Sequence, residues 1–259
     1  MPITETYHAG SEEVISARRL VSPLDGCPSV AVAPFDAQTV RVLVDAYPTS
    51  VATVLRCATG EVEVRTLTDR GERFAVYSAA VGAPVAVAHL EELVALGVRT
   101  FVFFGACGVL DAGIPAADLV VPTAAYRDEG TSYHYAPASD WIDVRTSGRL
   151  QGWLAELGVG FVAGKVWTTD GFYRETRAIV DRRIEQGCVA VDMECSALAA
   201  AAQLRGVDVY QFFYAADNLD ADEWDQRVLG RVADQTRLAH ARVALEVAHR
   251  AAALDRAGR

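Results

Sequence analysis

The stretch Val189-Ala190-Val191-Asp192-Met193-Glu194-Cys195-Ser196-Ala197-Leu198 decides how this chain is read. An apolar run enters an acidic pair around a methionine and continues into an alanine-rich segment. That is the pattern of a buried strand ending where a helix begins. A carboxylate at such a junction faces the crevice outside the carboxyl end of a strand, where α/β sheets bind ligands. A second junction follows, where the apolar run 207–215 leads into Ala216-Asp217-Asn218. Glu194 and Asp217 therefore stand at consecutive strand ends. Taken singly, each also fits a helix N-cap or first-turn acid.

The rest of the sequence sets bounds. The chain has 259 residues, 51% of them hydrophobic, which suits one α/β domain over 1–259 with a core that needs no staples. The formal net charge of −10 does not favour nucleic acid or an anionic membrane. No apolar run is long enough to span a bilayer. The opening Met1-Pro2-Ile3-Thr4-Glu5 lacks the apolar core of a signal peptide. The five cysteines, Cys27, Cys57, Cys107, Cys188 and Cys195, are scattered and odd in number, so reduced thiols in a cytoplasm are expected. Cys107 has no histidine near it in sequence to make it a nucleophile. Nothing calls for a metal or a cofactor.

Strand patterns fall at 30–33, 51–57, 62–67, 74–81, 100–104, 119–125, 161–168, 189–193 and 207–215. Helical patterns fall at 85–96, 147–157, 174–186, 195–205 and 223–255. Thr59-Gly60 and Asp69-Arg70-Gly71 read as hairpin turns. The first half is strand-rich and the second alternates strand and helix, which predicts one mixed, partly closed sheet flanked by helices. The last helix reads as an amphipathic cover for the core or as a subunit contact.

Several segments, taken in order, resemble the nucleoside phosphorylase and nucleosidase superfamily. They are Tyr7-His8-Ala9-Gly10, Phe104-Gly105-Ala106-Cys107-Gly108, Asp118-Leu119-Val120-Val121-Pro122, the loop 127–135, Thr168-Thr169-Asp170-Gly171-Phe172-Tyr173, Met193-Glu194 and Asp217. The resemblance implies cleavage of the N-glycosidic bond of a nucleoside, with a purine preferred. Glu194 would hold the ribose hydroxyls and Met193 the face of the sugar. Asp217 would give a proton to, or hydrogen-bond, the departing base. Phe172 would stack on that base, worth roughly 1–3 kcal/mol, with Tyr173 and Arg174 next in line. His8 would reach the ribose of a neighbouring subunit in a homo-oligomer, a dimer or a hexamer built from dimers. Arg227 would either partner Asp217 or lie on the surface.

The chain departs from the family pattern where phosphate would bind. The early turn reads Pro34-Phe35-Asp36-Ala37-Gln38-Thr39, with Phe35 where the family has glycine and Thr39 where it has arginine. The central turn carries Phe103 at another arginine position and Ala106 at a hydroxyl position, beside Gly105. A phosphate dianion needs exposed N–H groups and guanidinium forks, and an apolar wall desolvates it without compensation. Three readings stay open. Water is the nucleophile, with Glu12 and Glu13 the only carboxylates suggested for its activation. Alternatively, phosphate binds a rebuilt site using Arg41, Arg56 or Arg127. In the third, the scaffold serves another apolar small molecule.

Overall fold

The computed structural model describes residues 2–58, 60–221 and 223–258. Thr59 of the first expected hairpin turn lies outside the described residues.

Ten strands form one mixed sheet: β1 (Val30–Pro34), β2 (Thr49–Cys57), β3 (Gly60–Asp69), β4 (Glu72–Val76), β5 (Thr100–Val109), β6 (Leu119–Asp128), β7 (Trp141–Asp143), β8 (Phe161–Thr169), β9 (Cys188–Asp192) and β10 (Asp208–Asn218). The order is β10-β6-β8-β9-β5-β1-β4-β3-β2, and β10 also pairs with β5. That extra pairing returns the path through β6, β8 and β9 to its start. Five strands therefore close into a barrel-like ring, and β1, β4, β3 and β2 extend from it as an open wing. The expected partly closed mixed sheet is what forms.

Alternation along β5 shows why both faces need cover. Phe101 and Phe103 point to one side, Val102 and Phe104 to the other, and all four are buried. On the first side α3 (Ala83–Leu96) and α6 (Cys195–Arg205) supply Leu90, Leu93, Ala197, Leu198 and Ala201. On the second α2 (Ala37–Ala46), α4 (Ser147–Glu156) and α7 (Asp234–Ala257) supply Leu43, Leu150, Leu154, Ala244 and Leu245. A short helix, α1 (Ala17–Leu20), and α5 (Arg177–Glu185) complete the set.

Several elements differ from expectation. The central glycine turn is not a turn, because β5 runs straight through Gly105 and Gly108 to Val109. Pairing with β1, β9 and β10 holds the backbone extended. The early turn opens α2 instead: the Asp36 carboxylate accepts from Gln38 N–H at 2.9 Å and from the Thr39 hydroxyl at 2.8 Å. Asp36 also pairs with Arg237 of α7. The strand expected over 74–81 ends at Val76. The final helix starts at Asp234, not at 223. Positive φ at Arg227 and Gly230 breaks any earlier helix, and Asn218 and Asp225 exchange backbone bonds across the segment.

Candidate functional site

The carboxyl ends of β5, β9 and β10 meet around a cavity of about 200 Å³. Met193, Glu194 and Asp192 line one side, Asp217 and Leu219 another, and Phe35, Val81 and Ala106 a third. Phe172, Glu175 and Asp217 also border a wider outer cavity of about 460 Å³, with Tyr173, Arg177 and Trp224. Inner and outer spaces share Phe172, Glu175, Asp217 and Leu219 and so form one cleft, with Glu194 in its inner part and the aromatic side chains Phe172, Tyr173 and Trp224 around its outer mouth.

The acidic strand end works through a residue that sequence reading passed over. Asp192 accepts from the backbone N–H of Glu194 at 2.8 Å and of Cys195 at 2.6 Å, and from the Thr168 hydroxyl at 2.7 Å. It caps α6, so Glu194 is not needed for that role, and the Glu194 side chain makes no capping bond. Glu194 points into the cavity instead. Its Oε1 accepts from Gly82 N–H at 2.5 Å. Gly82 has φ +99°, a conformation that favours glycine and turns this N–H towards the carboxylate. Burial and the neighbouring charge of Asp192 both push the Glu194 carboxyl above the usual carboxylate range. An aspartate three residues before the first helical residue was the available signal for the cap. Replacing Asp192 with alanine leaves two buried N–H groups unpaired. We expect urea unfolding to show a loss of about 1–3 kcal/mol, and an unchanged midpoint would disprove the capping role.

Asp217 lies across the cavity. Its Oδ2 accepts from the indole Nε1–H of Trp224 at 2.7 Å. Burial raises its pKa, opposed by the Trp224 bond and the charge of Arg227. Gly108 makes room for it: a Cβ there would stand 3.3 Å from Asp217 Oδ1 and 2.5 Å from Leu219 Cδ1. Glu175, a second residue that sequence reading missed, stands beside it. Burial and the Asp217 charge push Glu175 up to about 7. It follows the single turn Phe172–Arg174, which carries it inward.

Other expected residues distribute less simply. Phe172 is 42% exposed at the mouth, and Tyr173, 92% exposed, borders only the outer cavity. Arg174 is exposed and borders neither. Phe103 does not line the cavity: it is fully buried behind Phe35, their rings stacked at 5.6 Å. Gly105 is also beneath the surface, where its missing Cβ lets Phe35 approach, since a Cβ would lie 3.0 Å from Phe35 Cβ. The wall at that end is thus Phe35, Ala106 and Val81. His8 is exposed and away from this chain's cleft. Glu13 pairs with Arg205 at 2.9 Å, outside the cleft.

Among the described residues, no lysine or arginine lines the inner cavity. Arg127 is buried elsewhere, donating to Ser132 Oγ at 2.8 Å and Pro137 O at 2.6 Å. Arg56 pairs with Glu61 at 2.9 Å, and Arg41 bonds Gln38 at 2.7 Å. Arg227 donates to Ile114 O at 2.7 Å, anchoring its loop while its charge still reaches Asp217.

Residues 30–250 match the family described as the phosphorylase superfamily. The chain belongs to that superfamily. This bears out the likeness read from the motifs. A guanosine phosphorylase of Halorubrum lacusprofundi is 33% identical over 141 residues, which cover 53% of this chain and 58% of that protein. A DeoD-type purine nucleoside phosphorylase of Bacillus cereus is 27% identical over 163 residues, covering 60% and 68%. The chain thus spans under two thirds of the length of the first of these relatives. Among solved structures, a uridine phosphorylase from Vibrio fischeri ES114 superposes with a TM-score of 0.74 at 21% identity, covering 92% of this chain and 100% of that one. A Toxoplasma gondii purine nucleoside phosphorylase in complex with immucillin-H gives 0.73 at 20%, covering 93% and 97%. At these identities the superpositions speak for the shared superfamily fold.

Proposed function

We propose that the protein cleaves the N-glycosidic bond of a purine-type nucleoside, with water as the attacking group. The observation that carries the reading is the pairing of Glu194 and Asp217 across one cavity whose third wall is apolar and without a cation. Glu194 accepts from the ribose 2′- and 3′-hydroxyls and, when ionised, favours positive charge on the sugar. In this reading Asp217 serves the base. As the C1′–N bond breaks, its electron pair goes to the base, and Asp217 delivers a proton to a ring nitrogen. A water oxygen bonds to C1′ on the face opposite the base and its proton passes to solvent, from which the Asp217 carboxylate regains the proton it gave up. Phe172 covers the base at the mouth.

The names of the curated relatives favour a second reading, phosphorolysis, with the phosphate held at a rebuilt site by groups other than those that line the inner cavity. His8, exposed and away from this chain's own cleft, would serve a neighbour's ribose in either reading. Product analysis separates the two. Phe35, Val81 and Ala106 offer no charge to a dianion, and burying an unpaired charge costs several kcal/mol. We expect free ribose from inosine or guanosine at a rate that does not rise with added phosphate. Saturable phosphate dependence with ribose 1-phosphate as product would replace hydrolysis by phosphorolysis. An absence of cleavage under both conditions would remove the glycosidic reading itself.

A further inference from the structure

The loop after β10 contains a feature that the cleavage chemistry above does not use. Among the described residues between Asn218 and Asp234 there is no helix or named strand, yet the segment is pinned. Asn218 and Asp225 exchange backbone bonds at 2.9 and 3.2 Å, Val228 N–H donates to Ala216 O at 2.9 Å, and the Arg227 guanidinium holds the 112–114 loop. Trp224 sits immediately before the Asp225 pin. It is 53% exposed, a large apolar surface left facing solvent. Its polar edge is turned inward to Asp217 at 2.7 Å, and its ring borders the outer cavity together with Phe172 and Tyr173.

We infer that Trp224 is a positioning residue: its indole N–H governs whether the Asp217 carboxyl is held as an acceptor or released to donate towards the base, and its ring closes the base end of the cleft. The inference rests on the glycosidic reading above. An N–H bond to a carboxylate stabilises the ionised form and fixes the oxygen it binds. In the free protein one Asp217 oxygen is therefore occupied. An arriving base competes for that carboxyl, and the indole must move or share it. The groups that face Asp217 are Glu175 beyond the Phe172 turn, Cys107 on β5, Asp192 on β9, and Asp225 and Arg227 on the loop that follows β10. Arg227 and a backbone N–H join Trp224 in favouring the charged form, and the indole bond is the largest of the three, so its loss shifts the balance towards the protonated acid.

Trp224→Phe keeps an aromatic ring and removes the donor, on a half-exposed loop position where folding is not at stake. The alkaline limb of its kcat profile should move to higher pH than in the wild type, with KM changed by less than about threefold. Trp224→Ala should show the same shift and a KM raised about tenfold, as loss of a base–aromatic contact implies. A merely structural role would alter KM or thermal stability and leave the limb in place. Coincident limbs for wild type and Trp224→Phe would overturn the inference. Fluorescence tests it without catalysis. The emission difference between wild type and Trp224→Phe should titrate with pH in the resting protein, and Asp217→Asn should abolish that titration. A flat difference signal overturns the link between the two residues. If the wild type cleaves no nucleoside, the functional reading fails by that result alone, and fluorescence still decides the pairing.

Discussion

Replacing Asp217 with asparagine should lower the kcat for inosine or guanosine cleavage about 10²–10⁴-fold, the range for loss of a placed general acid. The amide keeps the shape and can still accept from Trp224, so the fold and KM should change little. The effect belongs to the proton. Burial holds the Asp217 carboxyl above its ordinary range, so the acid form persists closer to neutrality than in an exposed aspartate. The wild-type rate should therefore fall as pH rises through the Asp217 pKa, and the variant should lack that fall. An Asp217→Asn enzyme with an unchanged rate would reduce this residue to a loop anchor for Trp224.

Replacing Glu194 with glutamine should lower kcat/KM about 10²–10⁴-fold for a ribonucleoside. Two hydroxyl bonds to a charged acceptor are weakened, each worth about 1.5–3 kcal/mol. The Gly82 N–H still finds an acceptor in the amide oxygen, so the side chain should remain in place. The discriminating substrate is the 2′-deoxynucleoside, which lacks one of the two hydroxyls. Its loss on substitution should be clearly smaller than that of the ribonucleoside. Equal losses for both sugars would show that Glu194 supports the cavity without holding the ribose.

The acidic strand ends were legible because strand-to-helix junctions leave a strong local pattern. Both carboxylates do line one cavity, and the closed part of the sheet is the consequence of β10 pairing with β5. Asp192 was hidden by its neighbour: two acids around Met193 look alike in sequence, and only the backbone path decides which one caps α6 and which is free. Glu175 and Trp224 carry no local motif, since each reaches Asp217 through a loop whose path depends on tertiary contacts. Phe103 was misplaced because it lies too deep in β5: the cleft opens outside the carboxyl end of the strand, where Ala106, Cys107 and Gly108 line it, whereas Phe103 is packed against the helices α3 and α6. Arg174 fell outside the cleft because a single turn redirects the chain between Gly171 and Glu175.

Phe35 is the outermost rung of a ladder. Its ring stacks on Phe103 at 5.6 Å, and Phe103 stacks on Phe101 at 5.7 Å in the core. The far wall is therefore mechanically continuous with the core. Phe35 is only partly buried, so trimming it to a small residue uncovers the head of the stack at a cost below the roughly 3–5 kcal/mol of a fully buried phenylalanine. A side chain at Gly105 is crowded while Phe35 remains, since its Cβ would lie 3.0 Å from Phe35 Cβ. Phe172, Tyr173 and Trp224 stand at least 42% exposed and can change one at a time, whereas the far wall changes only together with the packing behind it.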